Sequence, residues 1–219
     1  MRKDYLVFGS PLIEEAEINE VVASLHAGWL GTGPKVNKFE NDFKAYKQSP
    51  FAVAVNSCTS AMHLSMISAG IGKGDEVITS AMTFCATVNA IIHTGAKPVL
   101  VDCDISNQCI SPQSIREKIN SRTKAIIPVH FAGNACDMSS IMDIAEEYQL
   151  KVIEDCAHAI ETTYQGKHVG TFGDYGCFSF YANKLMTTGE GGMLVTNNLN
   201  IANRVQNLHS LSYGSGKDK

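Results

Sequence analysis

No block of like charge runs through this sequence, no two cysteines are spaced C-x-x-C, and no long apolar run opens it. The net charge is −4, from 18 basic and 22 acidic residues. A nucleic-acid surface needs a basic patch, and this balance supplies none. The seven cysteines (Cys58, Cys85, Cys103, Cys109, Cys136, Cys156 and Cys177) are odd in number and lack zinc-ligand spacing. They read as reduced cytoplasmic thiols, with no disulfide framework and no metal site. The segment Met1–Phe8 carries Arg2, Lys3 and Asp4. It fits neither a secretory signal nor a membrane anchor. Internal repeats and low-complexity linkers are missing too, and tryptophan occurs once, at Trp29.

What is present is an ordinary globular mix, 44% hydrophobic and 18% charged, in 219 residues. That is enough for one substantial domain with a core. Short apolar runs alternate with helical periods. Strands are expected at Phe51–Val55, Glu76–Ile78, Pro98–Val101, Ala125–Val129, Val152–Glu154, Cys177–Phe180 and Met193–Thr196. Helices are expected at Thr59–Ala69, Phe84–Thr94, Ser139–Tyr148 and from Asn200, with another opening at Ser111-Pro112, a serine cap before proline. This alternation predicts an α/β fold of three α/β/α layers around a mainly parallel sheet. Ligands gather beyond the carboxyl ends of such strands.

Candidate chemistry is therefore sought just after each apolar run. Asn56 to Ala61 opens a helix with small polar residues, and a helix start offers free N–H groups to a phosphate; taken alone, these residues favour an ordinary cap. Asp155 ends a strand inside an apolar stretch and needs a cationic or hydrogen-bonding partner, which either a protonated pyridine nitrogen or the capping of the next turn supplies. Lys184 lies just past Phe178-Ser179-Phe180 and before the glycine-rich Gly189–Gly192. A lysine in that setting can form a Schiff base with an aldehyde cofactor. Ser179 is small and polar enough to touch a phosphate. Phe84 either stacks on a flat heterocycle or packs in the core.

The ordered set Gly28–Pro34, Asn56–Leu64, Gly74–Ile78, Thr83-Phe84, Lys97–Asp102, Thr123–His130, Ile153–Ala159, Phe178–Phe180 and Lys184 with Thr187–Gly192 resembles the DegT/DnrJ/EryC1/StrS sugar aminotransferases. The resemblance implies the large domain of fold type I of the pyridoxal-phosphate enzymes over residues 1–219. It also implies that the chain, ending at Tyr213–Lys219, stops before a smaller carboxy-terminal domain. By the same resemblance, Lys184 is the catalytic residue that holds pyridoxal phosphate and shuttles protons. Asp155 pairs with the pyridine nitrogen, His158 lies near the ring oxygen, and Phe84 stacks on the ring. Thr59, Ser60 and Ser179 hold the phosphate, and Trp29 contacts the sugar.

The implied reaction takes an amino group from glutamate, leaving 2-oxoglutarate, and passes it to a keto group of a nucleotide-linked sugar. Position four is the implied carbon, in amino-sugar, lipopolysaccharide or other surface-polysaccharide biosynthesis. The implied assembly is a cytoplasmic homodimer with shared active sites, without nucleic-acid or membrane partners. The early stop leaves a second reading, a regulatory or inactive cofactor-binding fragment. Another pyridoxal-phosphate reaction on the same fold is a third.

Overall fold

The computed structural model describes residues 9–210. The opening segment Met1–Phe8 and the end Tyr213–Lys219 lie outside them. Helix α1 (Glu15–Ala27) and helix α2 (Pro34–Lys47) come first. Then β1 (Phe51–Val55), α3 (Cys58–Ser68), β2 (Glu76–Ser80), α4 (Cys85–His93), β3 (Lys97–Val101), α5 (Pro112–Lys118) and β4 (Thr123–Ile127) alternate. They are followed by α6 (Met138–Tyr148), β5 (Lys151–Asp155), a hairpin of β6 (Thr163–Tyr164) and β7 (Lys167–His168), β8 (Tyr175–Ser179), β9 (Gly192–Thr196) and α7 (Leu199–His209).

The main sheet has the order β1-β9-β8-β5-β4-β2-β3. Its inner pairings from β3 through β8 are parallel, and β9 runs antiparallel to both its neighbours. Successive strand residues point to opposite faces. Val77, Ala125, Ile127 and Ile153 join a core with Ala61, Met62 and Met66 of α3 and Ile91 of α4. Ile78, Ile126 and Val152 join a second core with Ile115 of α5 and Ile141 and Ile144 of α6. Sheet residues buried on both faces explain why the strands read as continuous apolar runs. The expected three layers are the observed ones.

The structure adds what the apolar runs did not show. Helix α1 buries none of its residues, and Ile18, Val21, Val22 and Leu25 are all exposed. Helix α2 places Phe43 in a third core with Phe178, Phe180 and Met193. Strand β4 begins and ends two residues earlier than expected; it ends before Pro128, which has no N–H for the ladder, and Val129 keeps only an isolated bridge to Asp155. Ser111 accepts the Ser114 N–H as the expected cap. The last helix begins at Leu199, one residue before the expected Asn200, with Asn198 as its cap. No helix among the described residues is long and apolar enough to cross a membrane.

At the base of β2, Glu76 is nearly buried, at 4% exposure. Its carboxylate accepts the Asn120 side-chain amide at 2.7 Å and the Arg122 guanidinium at 2.8 and 3.1 Å. The Asn120 hydrogen bond, then the Arg122 contacts, pull its pKa down to about 2 from an ordinary 4.5. A lowered folded-state pKa contributes stability that is complete above the unfolded value and is lost as pH falls through the folded value. Glu76→Gln therefore lowers the urea midpoint at pH 7, and the gap to wild type narrows below about pH 4.5. Midpoints measured from pH 7 to pH 3 test this; a gap of constant size refutes it.

Candidate active site

The cleft lies beyond the carboxyl ends of β1, β5 and β8, where the sheet topology puts it. Its volume is about 520 Å³, and it is lined by Thr59, Phe84, Asp155, His158, Ser179 and Lys184, among others. Six of the eight residues picked from the sequence thus meet in one place. Lys184 also borders a smaller cavity of about 300 Å³. Ser60 and Trp29 are not brought to either cavity. The Ser60 hydroxyl lies 3.0 Å from Ser57 Oγ, and its N–H donates to the same oxygen. Ser57 takes the place in the cleft wall expected for Ser60. Trp29 is 61% exposed, and its indole N–H donates to the Thr32 carbonyl at 3.0 Å. A Cβ at Gly33 would sit 2.0 Å from that indole nitrogen, so the ring closes its own loop.

Asp155 forms the floor. It is 5% exposed. Its Oδ1 accepts the Ala157 N–H at 3.1 Å and lies 3.8 Å from the Cys58 thiol. Its Oδ2 accepts the Thr87 hydroxyl at 2.8 Å. Burial, then the Asp155 charge, push the Cys58 thiol well above its usual range, so Cys58 stays protonated.

At the N-terminus of α3, Ser57 caps the Ser60 N–H and its carbonyl takes the Ala61 N–H. Among the described residues, the Thr59 N–H finds no backbone acceptor. This free donor and the helix dipole together form an anion site. Strand β9 packs tightly under this turn: a Cβ at Gly192 would meet the Ser57 carbonyl carbon at 2.4 Å.

Phe84 caps α4 and is 73% exposed, its ring over the cleft. His158 accepts the Ala132 N–H on Nδ1 at 3.4 Å. Burial, then the Lys184 charge, lower its pKa, with Asp155 opposing. The ring is therefore neutral near pH 7 and presents an N–H from Nε2. Lys184 is half-buried, and among the described residues no acceptor lies within hydrogen-bonding range of its Nζ. Only its backbone N–H is held, by the Tyr181 carbonyl at 2.9 Å.

This donor set fits pyridoxal phosphate. A free amine matches the aldehyde, a buried carboxylate matches a protonated pyridine nitrogen, and an exposed ring matches the flat face. A helix N-terminus with Thr59 and Ser179 matches the phosphate. The cleft is also large enough for the cofactor and part of a substrate.

Sequence reasoning missed Thr87 and the pair behind the site. Thr87 is a polar residue three places after Phe84, on the buried side of α4, and that position was its only signal. The pair is His130 and Glu154, both fully buried and 3.1 Å apart. The Cys136 N–H fills His130 Nδ1, so Nε2 carries the ring proton and donates it to Glu154. Glu154 also accepts the N–H groups of Gly170, Phe172 and Gly173 at 2.6, 2.8 and 2.8 Å. With Cys156, these groups come within 4.8 Å of one another. The hydrogen-bonding capacity of His130 and Glu154 is spent on the protein.

Known proteins are similar to this chain in sequence and fold. The spore coat polysaccharide biosynthesis protein SpsC of Bacillus subtilis is 49% identical over 213 residues, 96% of this chain and 55% of that protein. Spr1654 of Streptococcus pneumoniae, described as a sugar aminotransferase and solved in its PLP form, is 35% identical with a TM-score of 0.89, over 93% of this chain and 57% of that one. DesI, solved in the presence of its TDP-sugar product, is 32% identical with a TM-score of 0.89, over 95% of this chain and 53% of that one. This chain spans a little over half the length of each. The family model for the DegT/DnrJ/EryC1/StrS aminotransferases matches residues 11–219. With Lys184, Asp155 and the α3 N-terminus converging on one cleft, the chain belongs to the DegT/DnrJ/EryC1/StrS aminotransferase family, whose cofactor is pyridoxal phosphate.

Proposed function

We propose that this chain is the cofactor-binding large domain of an aminotransferase that moves an amino group from glutamate to a keto group of a nucleotide-linked sugar, for polysaccharide biosynthesis. The observation that carries it is Lys184: a half-buried amine without a partner among the described residues, in one cleft with a buried carboxylate. Lysines are ordinarily solvated or paired.

Pyridoxal phosphate, when bound, supplies an electron sink for the carbon that gains or loses the amino group. The rest falls to the chain's own residues. Asp155 holds a proton on the pyridine nitrogen. Phe84 covers one face of the ring and keeps water from it. His158 donates from Nε2 toward the ring oxygen. Thr59, Ser179 and the α3 N-terminus bind the phosphate. Lys184 takes a proton from the donor's α-carbon and returns one at the sugar carbon. Trp29, outside the cleft in this structure, keeps its proposed sugar contact only if its loop moves.

The TDP-sugar product of DesI supports a nucleotide-sugar acceptor, and the name of SpsC supports the polysaccharide pathway. A homodimer is part of the reading: Phe84 and Leu185, 73% and 78% exposed at the rim, suit cover by a second copy. Cytoplasmic placement agrees with seven free thiols.

The test is spectroscopic. Purified chain mixed with pyridoxal phosphate is expected to gain a visible band that borohydride bleaches, with the label on Lys184 in peptide mapping. A missing band, or a label elsewhere, rejects the proposal.

A further inference from the structure

We propose that Thr87, backed by Thr83, is a positioning residue that orients the Asp155 carboxylate toward the pyridine nitrogen of pyridoxal phosphate. The proposal rests on the functional reading above and deepens it.

The two carboxylate oxygens of Asp155 are held from different elements. Oδ1 takes the Ala157 N–H, next in its own chain. Oδ2 has the Thr87 hydroxyl, at 2.8 Å, as its one protein donor among the described residues. With one oxygen tied to the turn after β5 and approached by the Cys58 thiol of α3, and the other tied to α4, the plane of the carboxylate is set by where these elements meet. Thr87 is fully buried. Its hydroxyl lies 2.7 Å from the Thr83 hydroxyl. Asp155 can only accept, so Thr87 spends its proton on Asp155 and accepts from Thr83. The three groups therefore form a chain of donors pointing one way, Thr83 to Thr87 to Asp155.

Threonine is an indifferent helix former, and its hydroxyl within a helix usually bonds back to a carbonyl one turn earlier. At position 87 it reaches across to β5 instead. Packing alone would be served by valine, which has the same shape. The same turn of α4 also carries Phe84, whose carbonyl accepts the Thr87 N–H at 3.2 Å. One helical turn thus sets both the ring that covers the heterocycle and the acid that meets its nitrogen, so their relative position is held by local backbone.

The experiment uses the full chain titrated with pyridoxal phosphate, in wild type, Thr87→Val, Thr87→Ser, Thr83→Val, Asp155→Asn and Asp155→Asn/Thr87→Val. It reads cofactor affinity and the pH midpoint of the bound cofactor's visible band. Loss of a hydrogen bond to a charged group predicts roughly ten- to hundredfold weaker binding in Thr87→Val. A shifted pH midpoint accompanies it. Thr87→Ser restores both, and Thr83→Val moves both in the same direction by less. In the Asp155→Asn background, Thr87→Val adds nothing, because the residue acts through Asp155. Wild-type affinity and midpoint in Thr87→Val and Thr83→Val overturn this proposal alone, as does an undiminished effect of Thr87→Val in the Asp155→Asn background. A wild-type chain without any borohydride-sensitive band overturns this proposal and the functional reading together.

Discussion

In Lys184→Ala, borohydride fixes no cofactor to the chain, and the proposed sugar amination falls by roughly 10³- to 10⁴-fold. The magnitude is that of a positioned general acid and base removed from a reaction that needs proton transfer twice. Two roles are lost at once, since the same amine is the proposed covalent anchor. Folding is not the route of the loss. The Lys184 side chain makes no hydrogen bond or ion pair among the described residues, and its neighbours Asn183 and Leu185 are exposed. The melting temperature of the cofactor-free variant is therefore expected to match wild type. Cofactor still binds through Asp155, Phe84 and the α3 N-terminus, more weakly and without the borohydride-sensitive band. A variant that aminates sugar at the wild-type rate removes Lys184 from the mechanism. A variant that loses activity together with its fold shows a structural role instead.

Glu154→Ala acts in the opposite way, through stability. Four donors converge on that carboxylate, three of them backbone N–H groups of the loop before β8 and one the His130 ring. Alanine leaves all four without an acceptor, the His130 and Gly170 donors fully buried and those of Phe172 and Gly173 partly so. Each orphaned donor costs about 1–3 kcal/mol, so even with partial relaxation the loss is on the order of 4 kcal/mol. Whole domains are stable by only about 5–15 kcal/mol, so the variant is close to unfolding. The loop has little room to adjust: a Cβ at Gly176 would meet the Gly170 carbonyl oxygen at 2.1 Å, and one at Gly173 the Val152 carbonyl oxygen at 2.6 Å. Asp155, the next residue, loses its setting with the strand. Urea midpoints of wild type, Glu154→Ala and Glu154→Gln measure the effect. Glutamine keeps one acceptor oxygen and is expected between the other two. An alanine variant within about 1 kcal/mol of wild type would show that water reaches these donors.

Much of this architecture was legible beforehand. Strands such as β1 and β9 appeared as unbroken apolar runs because both faces of the sheet are covered. Lys184, Asp155 and Phe84 were visible because a polar or aromatic residue just past a buried strand stands at the ligand-binding edge. Helix α1 escaped because its apolar positions bury nothing within the described residues, and α2 because a mostly polar sequence hides its one buried aromatic, Phe43. Ser60 and Ser57 could not be told apart in sequence. Only the cap geometry turns Ser60 toward Ser57 and leaves Ser57 at the cleft wall.

The sequence by itself determined the layers, the seven strands of the main sheet but not the β6–β7 hairpin, the edge of the sheet where chemistry sits, and the ordered motifs of the family. These depend on local period and on residue type, which a linear text carries. Tertiary structure alone decided that β9 runs against its neighbours, that Thr87 and Ala157 share the Asp155 carboxylate, that His130 and Glu154 lock the loop behind it, and that Trp29 folds onto Gly33 rather than into the cleft. Each of these joins groups far apart in the chain or chooses among neighbouring donors. Such choices are set by distance and burial, which appear only when the sheet has closed.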